Sequence, residues 1–149
     1  MESRSHTEVV RAPIALCFET LVDFASYPDW FRVISSATIE HSDPGAQRWT
    51  VRYELDAILK TITYTLAYEG TRPDRLTWKM TTGDLAAIEG CYELVELEPG
   101  LTEATCTQAI DIGMWVPGIV RRPFESSAVQ DSVREFKKAA EARAGTGGA

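Results

Sequence analysis

A chain of 149 residues, 44% hydrophobic and 25% charged, has the size and composition of one globular domain. Its formal net charge of −7 excludes the basic footprint typical of nucleic-acid binding. No apolar run reaches the roughly 18 residues that a membrane-spanning helix needs, so no stable membrane insertion is expected. The start of the chain lacks the apolar segment of a secretory signal. The three cysteines are odd in number and form no C-x-x-C pair, so we expect reduced core thiols and a cytoplasmic protein.

The first part of the chain predicts one strand and two helices. Residues 6–12 favour a strand. A helix from Pro13 to Val22 follows, because its apolar residues recur at i, i+3, i+4 and i+7 on one face. Ser26 and Pro28 then favour a second, short helix, with Trp30 on its apolar side.

From residue 36 onward the apolar pattern changes to a period of two, which is typical of half-buried strands. Turn residues divide this region into six predicted strands: Ser36–His41, Gln47–Ala57, Leu59–Glu69, Arg75–Thr82, Leu85–Leu97 and Thr102–Ile112. Short turns join antiparallel neighbours, so these strands should form a meander. Gly90 lies inside the fifth of them and indicates a bulge.

The segment from Pro117 to Arg143 predicts one long helix. Its apolar residues repeat at steps of four, three and four and form a single stripe: Val129, Val133, Phe136 and Ala140. Such a stripe must be covered, and the preceding sheet is the available partner. Residues 145–149 are small and predict a disordered tail, so the single domain is expected to span residues 1–144.

Large aromatic residues lie on the apolar faces of the predicted strands. A curved sheet around a long helix usually leaves a space, and apolar walls with a few polar groups are typical of small-molecule sites. Taken singly, each of these residues is more often simple core, so the hypothesis concerns the whole face. The candidate ligand-binding residues are Trp30, Trp49, Tyr53, Tyr64, Tyr68, Trp78, Met80, Tyr92, Gln108 and Phe124.

The order of elements resembles the START-like, helix-grip superfamily (SRPBCC), and within it the polyketide cyclase/dehydrase or coenzyme Q-binding-protein-like group. Three pieces carry the resemblance: Asp23–Trp30, which reads Asp-Phe-x-x-Tyr-Pro-x-Trp, Gly90–Leu94 and Val116–Ile119. It covers residues 6–143. It implies an α+β fold in which a curved antiparallel sheet of about seven strands wraps around the C-terminal helix, with two short helices after the first strand.

The same resemblance implies a cavity for apolar molecules, namely lipids, quinones or polyketides, and ring closure of polyketide chains in some members. The relatives that act as aromatase/cyclases use a cavity arginine to bind or polarise a carbonyl. Arg52 is the candidate here, but it falls out of phase with Val51 and Tyr53 and should face solvent. That departure weakens the cyclase interpretation, although a tyrosine hydroxyl could still serve as general acid.

The residues themselves show no catalytic signature. His6 and His41 lack the spacing of a zinc site, and Ser126-Ser127 lacks the context of a nucleophile elbow. We therefore predict no metal and no cofactor. Gln108 is in phase with apolar neighbours, and its amide is expected to bond to backbone or to a tyrosine, with a ligand carbonyl as the less favoured alternative.

The sequence thus predicts a module that binds or carries a hydrophobic small molecule between sheet and helix. The alternative is a polyketide aromatase/cyclase that acts in the same cavity, so enzymatic activity stays undecided. A structural or partner-binding domain would follow if side chains fill the cavity. A homodimer is left open, and the second helix and the loop around Trp115 are the segments expected to control access.

Overall fold

A computed structural model describes residues 2–57, 60–113, 121, 124 and 126–147. Its elements, in chain order, are β1 (Ser3–Val10), α1 (Ile14–Val22), a 3-10 turn (Phe24–Ser26), α2 (Tyr27–Trp30), β2 (Ser36–Asp43), β3 (Arg48–Ala57), β4 (Lys60–Thr71), β5 (Arg75–Gly83), β6 (Ala87–Glu98), β7 (Leu101–Asp111) and α3 (Ser126–Gly147). The predicted lead into the long helix, including Trp115 and Val116–Ile119, falls mostly outside the described residues.

The seven strands form one antiparallel sheet in the order β1-β7-β6-β5-β4-β3-β2. Strands β2 to β7 are a simple meander. β1 completes the sheet by pairing with β7, so that Ser3 lies opposite Ala109 and Val10 opposite Thr102. With α3 packed on the inner face of the curved sheet and two short helices after β1, this is the predicted helix-grip fold.

The first strand begins earlier and ends earlier than the sequence predicted. Residues 3–5 are polar and show no apolar alternation, yet they pair with β7, where Ser5 Oγ lies 2.7 Å from Thr107 Oγ1. The strand ends at Val10 because the chain must turn into Pro13, the residue that precedes α1. Cross-strand pairing, which a single-strand pattern does not contain, therefore sets these bounds.

The predicted bulge at Gly90 is wrong. Gly90 pairs regularly with Trp78 on β5 and with Gln108 on β7. A Cβ built at this position would lie 2.7 Å from ring atoms of Trp78 and 2.7 Å from the Thr107 carbonyl oxygen. The glycine is needed because the Trp78 ring lies directly over the strand, not because the strand bends there.

The buried stripe of α3 agrees with the prediction: Val129 is 5% exposed, and Val133, Phe136 and Ala140 are fully buried. Polar contacts also fix the helix to the start of the chain, because Lys137 Nζ donates to the Val9 carbonyl at 2.8 Å. The helix continues through residues 145–147, where the sequence predicts a tail. A glycine weakens a helix but does not remove its backbone hydrogen bonds. Residues 148–149 lie outside the described residues.

No helix within the described ranges combines the length and the apolar character needed to cross a bilayer.

Candidate functional site

Alternation along β3 separates an inner face from an outer face of the sheet. Val51 and Tyr53 are buried against the core, whereas Arg52 between them is exposed. The Arg52 guanidinium lies 3.6 Å from the Glu54 carboxylate on the outer face, and its side chain is 45% exposed. Arg52 therefore faces away from the core, as its phase predicted, and cannot act on a molecule held between sheet and helix.

Aromatic rings cover the inner face in a connected series, which we call the aromatic cluster. Neighbouring ring centroids are between 4.4 Å (Phe24 to Tyr68) and 6.2 Å (Trp30 to Phe136) apart. Its members are Phe24, Tyr27, Trp30, Phe31, Trp49, Tyr53, Tyr64, Tyr68, Trp78, Tyr92 and Phe136. Seven of the ten residues predicted to bind ligand belong to it, and the other three, Met80, Gln108 and Phe124, lie beside it.

Four cluster members were not predicted as site residues: Phe24, Tyr27, Phe31 and Phe136. Phe24 and Tyr27 lie in the Asp-Phe-x-x-Tyr-Pro-x-Trp segment, and Phe136 lies in the apolar stripe of α3. The apolar stripe of α3 predicts core residues. The Asp23–Trp30 segment carries the family resemblance. Both signals were present, and only the packing of α2 and α3 onto the sheet shows that they meet.

Few polar atoms interrupt the cluster, and most of them bond to each other or to backbone. Tyr53 Oη lies 2.7 Å from Tyr68 Oη, and Tyr27 Oη donates to the Leu21 carbonyl at 2.5 Å. Trp78 Nε1 donates to Gln108 Oε1 at 2.9 Å. The amide of Gln108 thus bonds to a tryptophan, whereas the sequence favoured backbone or a tyrosine.

Burial raises the pKa of every tyrosine in the cluster above the ordinary value, because removal from water disfavours the phenolate. For Tyr53, the neighbouring Tyr68 adds to this effect on the pKa. All these hydroxyls are neutral near pH 7. They can donate or accept hydrogen bonds there, but they cannot act as phenolate bases.

Residual exposure differs from residue to residue around the core. Phe18, Phe24 and Phe136 are completely buried, whereas Tyr92 keeps 7% and Trp78 keeps 9% of its surface. Four inner-face side chains are only half-buried, although their strands are central: Tyr64, Met80, Gln108 and Ile110. Ile110 lies at the end of β7, next to the segment that leads into α3. We call these four side chains the open end of the inner face.

A depression of about 790 Å³ crosses the sheet. Most of the residues that line it belong to the outer face, although Trp49, Tyr68, Trp78 and Gln108 line it as well. It runs across the strands from Ser3 to His41. The side chains around it include the charged Arg48, Lys79 and Glu89, which alternate with the inner-face residues. An open, charged surface of this kind does not suit the burial of an apolar molecule.

Acid–base and metal chemistry find little support in the described ranges. His6 Nε2 lies 2.5 Å from the Glu8 carboxylate on β1, and His41 is exposed on β2. No set of three histidine, cysteine or acidic side chains among the described residues is placed to hold a metal ion. On the central strands the inner face offers hydroxyl, amide and indole groups, which can position and polarise a ligand. The ionisable side chains of His6 and Glu8 share this face on the edge strand β1, opposite Cys106 and Ala104.

Comparison with known proteins agrees with this architecture. The family described as polyketide cyclase / dehydrase and lipid transport matches residues 1–144. No protein with a curated description matches the chain. The Zhui aromatase/cyclase from a Streptomyces species is 20% identical, with 95% of this chain and 94% of that chain covered and a TM-score of 0.78.

Two further solved structures share the fold at similar distance. A START superfamily protein from Mycobacterium smegmatis is 19% identical, covers 97% of both chains and has a TM-score of 0.76. A Thermus thermophilus protein is 16% identical, with 99% and 100% coverage and a TM-score of 0.79. At these identities the structures establish the shared fold alone. The match over nearly the whole sequence establishes more: this chain belongs to the polyketide cyclase/dehydrase and lipid transport family.

Proposed function

We propose that the protein binds a hydrophobic small molecule, such as a lipid, a quinone or a polyketide-like compound, between the sheet and α3, and acts as a carrier or binding protein in the cytoplasm. The observation that carries this proposal is the aromatic cluster together with the open end of the inner face. A simple core would bury its central residues evenly, as it does at Phe24 and Phe136. Here Tyr64 and Met80 stay half-buried, although Ile62 and Leu66 beside them are only 3% and 5% exposed.

The polar groups on the central strands of the inner face favour an uncharged ligand. The hydroxyls of Tyr53 and Tyr68, the amide of Gln108 and the indole of Trp78 are all neutral. A charged group buried among them would lose its hydration without gaining an opposite charge. An apolar molecule with one or two hydrogen-bonding atoms fits this lining better than a salt or a sugar does.

Native mass spectrometry of the protein purified from its host, followed by denaturing extraction, tests the proposal directly. We expect a retained apolar compound, and the mass of the intact species also shows whether a homodimer forms. A retained compound that is polar or charged would contradict the proposal. So would an empty protein that shows no thermal shift with a panel of lipids, quinones and aromatic polyketides.

Two adjacent residues on β5 provide a matched pair for locating the site. Met80 lies at the open end of the inner face, and Lys79 points to the outer face. Met80→Ala should weaken binding of any compound found, because it removes apolar contact area, whereas Lys79→Ala should leave affinity unchanged. Equal effects of the two substitutions would place the ligand elsewhere.

A polyketide aromatase/cyclase is the second candidate, and one observation favours it. The Tyr53–Tyr68 hydroxyl pair lies inside the cluster and stays protonated at neutral pH, so it can donate a hydrogen bond to a carbonyl as the carbon–carbon bond forms. Ring closure with loss of water would lower the mass of a poly-β-ketone thioester, which mass spectrometry detects. Activity that is absent in the wild type, or unchanged in Tyr53→Phe, would rule out this role.

A further inference from the structure

The indole N–H of Trp30 is a buried donor for which the described part of the chain provides no acceptor. The indole of Trp78, in contrast, donates to Gln108 at 2.9 Å. Most buried polar groups in folded proteins have a partner, and a buried donor without one is destabilising. Trp30 therefore presents a hydrogen-bonding capacity that the described chain itself does not use.

The position of Trp30 connects this donor to the aromatic cluster. Trp30 ends α2, and its ring centroid lies 4.9 Å from that of Tyr27 and 6.2 Å from that of Phe136 on α3. Phe136 in turn lies 5.2 Å from Tyr92, deeper on the sheet. Trp30 as a whole is only partly buried, although its nitrogen is shielded. The donor thus lies at the rim of the cluster, where α2 meets α3.

The chemistry of this donor restricts its partner. An indole N–H donates and cannot accept, so the partner must be an acceptor atom. The surrounding rings of Tyr27, Phe31 and Phe136 are apolar and offer no counter-charge to an anion. A neutral acceptor on an otherwise apolar molecule satisfies both conditions, and a ketone, quinone or ester carbonyl oxygen is such an acceptor.

We infer that Trp30 determines specificity by donating its indole N–H to a carbonyl oxygen of the ligand, so that the protein selects apolar carbonyl compounds over plain hydrocarbons of the same shape. This inference rests on the proposed function, because it concerns the same site. A site that buries a donor discriminates against ligands that leave it unpaired. The expected preference is about 2- to 12-fold in affinity, which corresponds to one neutral hydrogen bond.

The test uses two probes of nearly equal size, acetylnaphthalene and ethylnaphthalene, which differ by one carbonyl group. Calorimetry measures the affinity of each probe for the wild type and for Trp30→Phe. The wild type should prefer acetylnaphthalene, and the variant should lose that preference while it still binds ethylnaphthalene with reduced affinity. Because the variant also removes ring area, the loss common to both probes cancels in this double comparison.

Magnetic resonance gives a second readout that area loss does not affect. The peak of the Trp30 indole proton, identified by its absence in Trp30→Phe, should lie further downfield with acetylnaphthalene than with ethylnaphthalene, because the ring current of the naphthalene is common to both probes. The Trp78 indole is the internal control, because Gln108 already accepts its proton. If Trp30→Phe fails to fold, benzothienylalanine at position 30 removes the N–H within the same ring outline.

The outcomes separate this inference from the proposed function. If both probes bind, Trp30→Phe weakens them equally and the Trp30 peak shifts equally with both, the carbonyl inference is overturned and the binding function stands. If neither probe binds and no compound of the thermal-shift panel binds, the binding function fails together with the inference. If a panel compound without a carbonyl binds as tightly as its carbonyl analogue, the inference alone is overturned. Loss of the preference in both Trp30 variants, with the expected peak shift in the wild type, supports both.

Discussion

The hydroxyl oxygens of Tyr53 and Tyr68 lie 2.7 Å apart although the two residues are not opposite each other in the sheet. Tyr53 on β3 pairs with Tyr64, and Tyr68 on β4 pairs with Trp49. The two side chains lean toward each other over the inner face and meet at their ends. Both rings are buried, so each hydroxyl depends on the other for a hydrogen bond.

Removing one hydroxyl of this pair should lower the free energy of unfolding more than removing both hydroxyls does. Tyr68→Phe leaves the Tyr53 hydroxyl buried without this partner, and we expect the free energy of unfolding to fall by about 1–3 kcal/mol. Chemical denaturation of both single variants and of the double variant measures the coupling. A double variant that loses the full sum of the two single effects would show that the hydroxyls act independently.

The tyrosines should all lose their protons at high pH and in the same pH range. All five have a pKa raised by burial, and the neutral form is the one that folding favours. In the unfolded chain the pKa is about 10, so this stabilisation is fully present below about pH 10 and is lost as pH rises through the higher folded values. Ultraviolet absorbance of tyrosinate should therefore appear with alkaline unfolding, as followed by circular dichroism. A tyrosinate signal at about pH 10 in the folded protein would contradict this burial.

Gly90→Ala should destabilise the protein because the added methyl group has no room. Its Cβ would lie 2.7 Å from both the Trp78 ring and the Thr107 carbonyl oxygen, and overpacking of this kind costs about 1–3 kcal/mol. Thermal and chemical unfolding measure the effect. The control is Gly45→Ala, where the nearest atom is Asp43 Oδ1 at 3.6 Å and the change should stay within about 0.5 kcal/mol. Equal stability of the two variants would mean that the Trp78 ring moves aside freely.

Among the three cysteines, Cys91 should react first with an alkylating reagent. Cys17 and Cys106 are buried, whereas Cys91 is only half-buried, and all three are free thiols. Burial, and secondly Glu93 nearby, raises the pKa of Cys91, so its labelling rate should still increase beyond the usual thiol pKa of about 8.5. Peptide mass spectrometry after brief native labelling identifies the site. Labelling of Cys106 as fast as Cys91 would show that the core opens and would contradict the prediction. The Cys91→Ser variant is the control without the reactive thiol.

The inner face could be predicted because alternation along a strand is a local property. The period of two alone places Trp49, Tyr53 and Tyr68 on the inner face of the sheet. The same period places Arg52 on the outer face. The partners of these residues could not be predicted in the same way. The bond from Trp78 to Gln108 joins non-adjacent strands across Gly90, and the meeting of Trp30 with Phe136 depends on how α2 docks against α3. Such pairings depend on the register and docking of distant segments, which no local pattern contains.

Because Ser3 pairs with Ala109, the strand made first by the ribosome is the last to find its place in the sheet. β1 must wait until β7 has been synthesised, and such long-range pairing slows folding. While it waits, β1 is a free strand that could join another chain. Its first half, Ser3–His6, is polar and carries Arg4, and polar or charged residues discourage strands from associating. The polar residues Ser3–His6, which give β1 no apolar alternation, therefore also disfavour aggregation of the nascent chain.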